Sequence, residues 1–150
     1  MDLGIGGKRA LVCAGSKGLG RGCAEALAAE GVEIVLNARS PDVLESTAEE
    51  IRRTHKVLVT AIAADVTTDE GRQQILDHAG AIDILVNNAG GPPPGNWRDW
   101  SHEDFLSAFE ANAYSAIALM KALVPAMCER GWGRVVNITS VSVKQPIGVL

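Results

Sequence analysis

Metal-binding patterns are missing from this sequence. Its three cysteines, Cys13, Cys23 and Cys128, form no CxxC pair, and His55, His78 and His102 stand far apart without ligand spacing. A metal site is therefore not expected, and each histidine reads as a solvated or satisfied structural residue. No apolar stretch follows a charged start at Met1 to Lys8, so these residues do not read as a signal peptide. No apolar run is expected to be long enough to span a bilayer. An odd cysteine count without a secretory signal points to free thiols in a reducing cytoplasm. The net charge is −4 and the basic residues are scattered, which leaves no electrostatic footprint for nucleic acid. Repeats, low-complexity tracts and linkers are lacking as well. The expected protein is cytoplasmic, with no nucleic-acid or membrane partner.

What is present fits one domain. The chain has 150 residues, 47% hydrophobic and 21% charged, enough for a single core. Short apolar runs alternate with longer helical segments. Strands are predicted at Arg9 to Ala14, Glu33 to Asn37, Val57 to Ala63, Ile82 to Asn87 and Arg134 to Thr139. All are apolar on both faces, as in a buried parallel sheet.

A first helix is predicted from Gly18 to Glu30, with Leu19, Cys23, Ala26 and Leu27 on one face and Gly31 as its stop. A second has Ser40 as N-cap and Pro41 at its first position. A third covers Asp69 to Ala79, closed by Gly80. The longest runs from His102 to Arg130, capped by Ser101 with Asp104 three positions on. This alternation implies right-handed crossovers and a Rossmann-like, doubly wound α/β sheet of order 3-2-1-4-5. Its ligand crevice falls where the order reverses, at the carboxyl ends of strands 1 and 4.

Polar residues collect at those ends. The first turn reads Ala14-Gly15-Ser16-Lys17-Gly18-Leu19-Gly20. Glycines there let the backbone approach a pyrophosphate, and the next helix points its free N–H groups at that anion. The spacing is not GxGxxG, and a glycine turn alone also serves as a tight strand-to-helix connection. Strand 2 ends in Asn37-Ala38-Arg39-Ser40, without the acid that grips the ribose of NAD. Arg39 and Lys17 instead suit the 2′-phosphate of NADP, or are solvated surface charges. Asp65 after strand 3, and Asn87-Asn88-Ala89-Gly90 after strand 4, read as turn formers or as parts of one nucleotide rim.

The order of glycine turn, Ala-Arg after strand 2, Asp-Val after strand 3, Asn-Asn-Ala-Gly after strand 4 and Gly-Arg-Val-Val-Asn-Ile-Thr-Ser through strand 5 resembles the short-chain dehydrogenase/reductase family, most of all 3-oxoacyl-carrier-protein reductases and their relatives. The resemblance covers nearly the whole chain. It implies an NADP(H)-dependent oxidoreductase interconverting a small-molecule carbonyl and an alcohol. Cofactor contacts are then Gly15, Ser16, Lys17, Gly18, Leu19, Gly20, Arg39, Asp65, Val66, Asn87, Ala89 and Gly90. Asp65 and Val66 would hold the adenine. Asn112 matches the helix asparagine that holds a proton-relay water, and Ser140 the catalytic serine, with Thr139 and Ser142 as neighbouring hydroxyls.

Two departures are visible. The family's first glycine is Ala14 here; alanine resists positive φ, so a displaced turn or altered cofactor binding is expected. The family's Tyr-x-x-x-Lys pair would fall beyond Leu150. The only tyrosine, Tyr114, reads as core or interface packing. The chain is thus expected to be the NADP(H)-binding part, residues 1–150, of a longer single-domain enzyme, and inactive alone. A non-catalytic NADPH-binding or degenerate relative is the alternative. The stripe Leu106, Phe109, Ala113, Ile117, Met120, Leu123 and Met127 reads as core or subunit interface, consistent with an expected homo-oligomer, dimer or tetramer. The stiff loop Pro92 to Trp97 can wall a substrate pocket, with Trp97 and Trp100 packing on substrate or on the protein body, and Trp132 reads as structural.

Overall fold

A computed structural model describes residues 3–91 and 94–145; Pro92 and Pro93 of the expected stiff loop lie outside them. Five parallel strands run β1 (Arg9–Val12), β2 (Glu33–Ala38), β3 (Val59–Ala63), β4 (Ile84–Asn87) and β5 (Arg134–Asn137). Their order is β3-β2-β1-β4-β5, as expected. Four strands are two residues shorter than the apolar runs that announced them and β2 is one residue longer, ending at Ala38; some flanking residues stay in the core beyond the paired strand. Cys13 and Ile82 are buried in this way.

Alternate strand residues go to opposite layers. Ala10, Val12, Ile34, Leu36, Ile84 and Val86 meet α1 (Gly18–Ala29) and α2 (Pro41–His55) through Ala24, Ala28, Leu44, Ala48 and Ile51. Leu11, Cys13, Val35 and Leu85 meet α3 (Asp69–Ala79) and α5 (Ser115–Glu129) through Ile75, Ala79, Leu119 and Met127. Each fully buried leucine or isoleucine contributes about 1.5–3 kcal/mol.

The helix on the first turn keeps Cys23 and Leu27 of the expected face against the core, but its fully buried line is a different one. Gly20, Ala24 and Ala28 are buried, while Leu19 is 68% exposed and Ala26 is exposed. A Cβ on Gly20 would sit 2.5 Å from the Ala14 carbonyl oxygen. At such close approach only glycine and alanine fit along the contact line, so the larger side chains point away. The capping box of Ser101 and Asp104 forms at the start of α4 (His102–Phe109). Ser40 occupies the N-cap of α2, but its hydroxyl makes no capping bond.

The long fourth helix is not uniformly α-helical. Between α4 and α5 lies one π-helical turn, Glu110–Tyr114. The united stretch His102–Glu129 has 28 residues, and within it one 18-residue window reaches a mean hydropathy of 1.2. By length and composition alone it would be enough to cross a membrane. Its buried Leu119 and Met127 pack against the sheet, the contact of a layer helix.

Two apolar surfaces remain uncovered among the described residues. All four residues of β5 are exposed, and no described strand pairs with its far edge. Phe105, Leu106 and Phe109 of α4 are each about half exposed, so the front of the expected stripe is not core. Open apolar edges invite pairing. The 1–150 chain produced alone is expected to self-associate, with a light-scattering mass that rises with concentration. A constant monomer mass would contradict this.

Candidate functional site

The carboxyl ends of β1 to β4 open into a cleft with two lobes. The outer lobe, about 630 Å³, is lined by Ser16, Lys17, Arg39, Asp65, Val66, Ala89, Gly90 and Asn112, among others. The inner lobe, about 270 Å³, adds Asn87, Asn137 and Thr139. Val66, Ala89, Ala111 and Asn112 border both.

The first turn forms in place. Ala14 itself takes φ +46°, so the expected displacement does not occur. The conformation costs an L-residue about 1–2 kcal/mol. It is held by flanking bonds: Cys13 N–H donates to the Val86 carbonyl at 3.0 Å, and Asn88 Nδ2 donates to the Ala14 carbonyl at 3.4 Å. Gly15 has no room for a side chain, since a Cβ would lie 2.4 Å from Leu36 Cδ1, and its N–H donates to the Asn37 carbonyl at 2.8 Å. Gly18 opens α1 at φ +55°. Lys17 at the N-cap makes no side-chain capping bond, and the first turn holds no acid. The free N–H groups and the positive end of the helix dipole are therefore unopposed by protein charge.

At the end of β2 the amide nitrogen of Asn37 is fully occupied. Its Nδ2 donates to the carbonyls of Ile62 at 3.0 Å and Ala64 at 2.9 Å, bridging β2 to β3. The next charged group is Arg39, 76% exposed, with Nη1 3.9 Å from Asp65 Oδ2. Asp65 is oriented by Thr67, whose N–H and hydroxyl donate to Oδ1 at 3.0 and 2.8 Å. Burial pushes this carboxyl upward, but the two Thr67 bonds and the Arg39 charge outweigh it, and the net shift is downward. The corner thus holds two exposed cations, Lys17 and Arg39, against one carboxylate.

The paired asparagines divide their work. Asn88 braces the first turn. Asn87 Nδ2 donates to Asn137 Oδ1 at 2.8 Å, joining residues in register on β4 and β5. Asn87 Oδ1 is buried with no protein partner among the described residues. Nearby, burial pushes the Cys13 thiol up to about 12, partly offset by the backbone N–H of Asn88, so this cysteine is unreactive packing.

Asn112 lies in the π turn, and its Nδ2 donates back to the Ala108 carbonyl at 2.9 Å. The Ser115 N–H reaches the Glu110 carbonyl, and the buried Ser115 hydroxyl satisfies the Ala111 carbonyl at 2.7 Å. This bulge sets Ala111 and Asn112 against both lobes. Such turns often mark functional sites. Ser140 follows β5 and caps the short 3₁₀ turn Val141–Val143. Its Oγ accepts from the Ser142 hydroxyl at 2.7 Å.

Of the residues singled out from sequence, Ser16, Lys17, Arg39, Asp65, Val66, Ala89, Gly90 and Asn112 share the outer lobe and Asn87 the inner one. Gly15, Gly18, Leu19 and Gly20 shape the turn without lining either lobe, and Ser140 stands outside both, beyond Thr139. Trp100 lines the outer lobe and packs edge-to-face on Phe105, whereas Trp97 is 64% exposed. Trp132 packs on the core between Lys8 and Arg134. Sequence reading missed Ser115 and Asn137. A serine inside an apolar helix and an asparagine inside an apolar strand were the available signals.

A doubly wound sheet with a glycine turn and a polar rim at its switch point defines a dinucleotide-binding α/β protein. Residues 8–150 match the short chain dehydrogenase family, and the chain belongs to it. Ketoacyl reductase HetN of Nostoc sp. is 36% identical over 145 residues, covering 94% of this chain and 50% of the relative. The crystal structure of L-sorbose reductase from Gluconobacter frateurii, complexed with NADPH and L-sorbose, superposes with a TM-score of 0.93 at 35% identity, covering 99% of this chain and 58% of that one. A 7α-hydroxysteroid dehydrogenase complexed with NADH and 7-oxo glycochenodeoxycholic acid gives 0.87 at 30% identity, covering 94% and 56%. The chain spans about half the length of the curated relatives it matches.

Relief of the strained Ala14 should be measurable. The αL cost, less the extra entropy that glycine loses, predicts that Ala14→Gly stabilises the natural protein by about 0.5–1 kcal/mol. A raised denaturation midpoint with unchanged slope would support this. An unchanged or lowered midpoint would refute it.

Proposed function

We propose that the protein carrying this chain interconverts a small-molecule carbonyl and an alcohol with NADP(H) as its cofactor. The observation that carries the reading is the corner formed by Lys17 and Arg39. Both cations line the outer lobe, and no acid ends β2, where the amide of Asn37 is spent on two carbonyls of the β3 segment. The fold accommodates either nicotinamide cofactor, so the NADP(H) reading rests on this corner. A 2′-phosphate, largely dianionic near neutral pH, suits a guanidinium fork beside an ammonium.

The residues present fit the whole dinucleotide. The unopposed N-terminus of α1 suits a pyrophosphate, and Asp65 with Val66 an adenine edge. Asn87, Ala89 and Gly90 then border the nicotinamide side. When bound, the cofactor supplies or takes up hydride. Ser140 donates a hydrogen bond to the substrate oxygen, where negative charge develops. Asn112 links the substrate site to solvent through water, the route by which a proton is exchanged. Cytoplasmic location and homo-oligomerisation belong to the same reading. The half-exposed Phe105, Leu106 and Phe109 support the second.

Calorimetric titration of the natural protein is expected to show tighter binding of NADPH than of NADH, and Arg39→Ala should erase most of that preference. Equal or tighter NADH binding would sink the assignment, as would an Arg39→Ala protein with the preference intact.

Ser140→Ala should keep its NADPH affinity but lose turnover by about 10²–10³. Ser142→Ala should be milder, because Ser142 only supports the Ser140 hydroxyl. Single-turnover hydride transfer separates the cases. Near-normal rates in Ser140→Ala with loss in Ser142→Ala would move the catalytic hydroxyl two residues on.

A further inference from the structure

Among the described residues Arg72 is the one buried arginine, 6% exposed, in the first turn of α3. Its guanidinium makes three contacts with three different segments. Nη1 donates to the Val66 carbonyl at 2.9 Å. Nη2 pairs with the Asp69 carboxylate on the first turn of α3. The cation also lies over the ring of Tyr114, 5.4 Å from its centroid. Val66 and the π turn that ends at Tyr114 are walls of the cleft: Val66, Ala111 and Asn112 border both lobes.

We infer that Arg72 is a positioning residue that ties these walls together and sets the width of the cofactor cleft. Burying a guanidinium is costly unless its donors are satisfied. Its retention here is explained by the pairing with Asp69, the carbonyl and the aromatic face together. Removing it leaves the Val66 carbonyl without that donor and frees the Tyr114 ring, so the β3-to-α3 segment and the π turn can move apart. Neither wall contains a charged group that could replace it.

The inference rests on the cofactor reading above, and a double-mutant cycle in the natural protein tests it by NADPH affinity in fluorescence titration. Arg72→Met should weaken binding about tenfold, the scale of a lost charge-assisted hydrogen bond, and Tyr114→Leu by about threefold to tenfold, the scale of a lost cation–π contact. The double variant should bind no more weakly than the poorer single, because both remove one link. Arg72→Lys, which keeps a cation and an N–H for the Val66 carbonyl, should recover most of the affinity, and Tyr114→Phe, which keeps the ring, should bind normally. If Arg72→Met fails to fold, the Tyr114→Leu and Tyr114→Phe pair decides alone, since that ring is 38% exposed. Losses that multiply in the double variant, or normal NADPH binding in Tyr114→Leu, would overturn the role of Arg72 while leaving the cofactor reading intact. Failure of the unaltered protein to bind NADPH would overturn both.

Discussion

The turn from β1 into α1 has almost no free volume, and the shape of the cleft depends on that closeness. Gly15 lies beneath Leu36, and Gly20 backs onto the Ala14 carbonyl, each with less than 3 Å for a Cβ. The approach brings the N-terminus of α1 down to the sheet where β1 and β4 part. It also forces Ala14 into a left-handed conformation that the bonds from Asn88 and to Val86 hold. Strain of this kind persists only where surrounding contacts over-determine it. Here those contacts come from β4 and its loop, so the first turn and the Asn87–Gly90 segment act as one unit.

Around that turn, charged side chains line only the outer lobe, whereas amides line both. The outer lobe carries exposed cations at Lys17 and Arg39. The inner lobe has no charged side chain but is bordered by Asn87, Asn112 and Asn137; of these Asn87 is buried and keeps one acceptor unpartnered among the described residues. An exposed cation suits an anion that arrives from water, because neither partner need be fully desolvated beforehand. A buried amide instead holds a fixed direction, since leaving it unpaired is costly.

The strand order, the helix boundaries and most of the rim were legible because they rest on local patterns. Alternating apolar runs announced the sheet, Ser101 with Asp104 announced a cap, and Lys17, Arg39, Asp65 and Asn87 stood at strand ends. Three features were not legible, and each depends on tertiary contact. The π turn inserts one residue without disturbing the apolar spacing, so only Asn112 and Ser115 hinted at it. The exposure of Leu19 follows from how closely α1 approaches the sheet, which no helical periodicity encodes. Arg72 reads as a surface charge on α3 until Tyr114, 42 positions away in sequence (114 minus 72), is seen beneath it.

The central claim is that four strand ends form a single dinucleotide rim, and amide hydrogen exchange with and without NADPH tests it most directly. Residues 14–18, 38–39, 65–67 and 87–90 should gain protection together at the same cofactor concentration, while the opposite ends of the strands near Arg9, Glu33 and Asp83 should not change. Protection confined to one of these segments, or appearing at the opposite ends of the strands, would contradict the account.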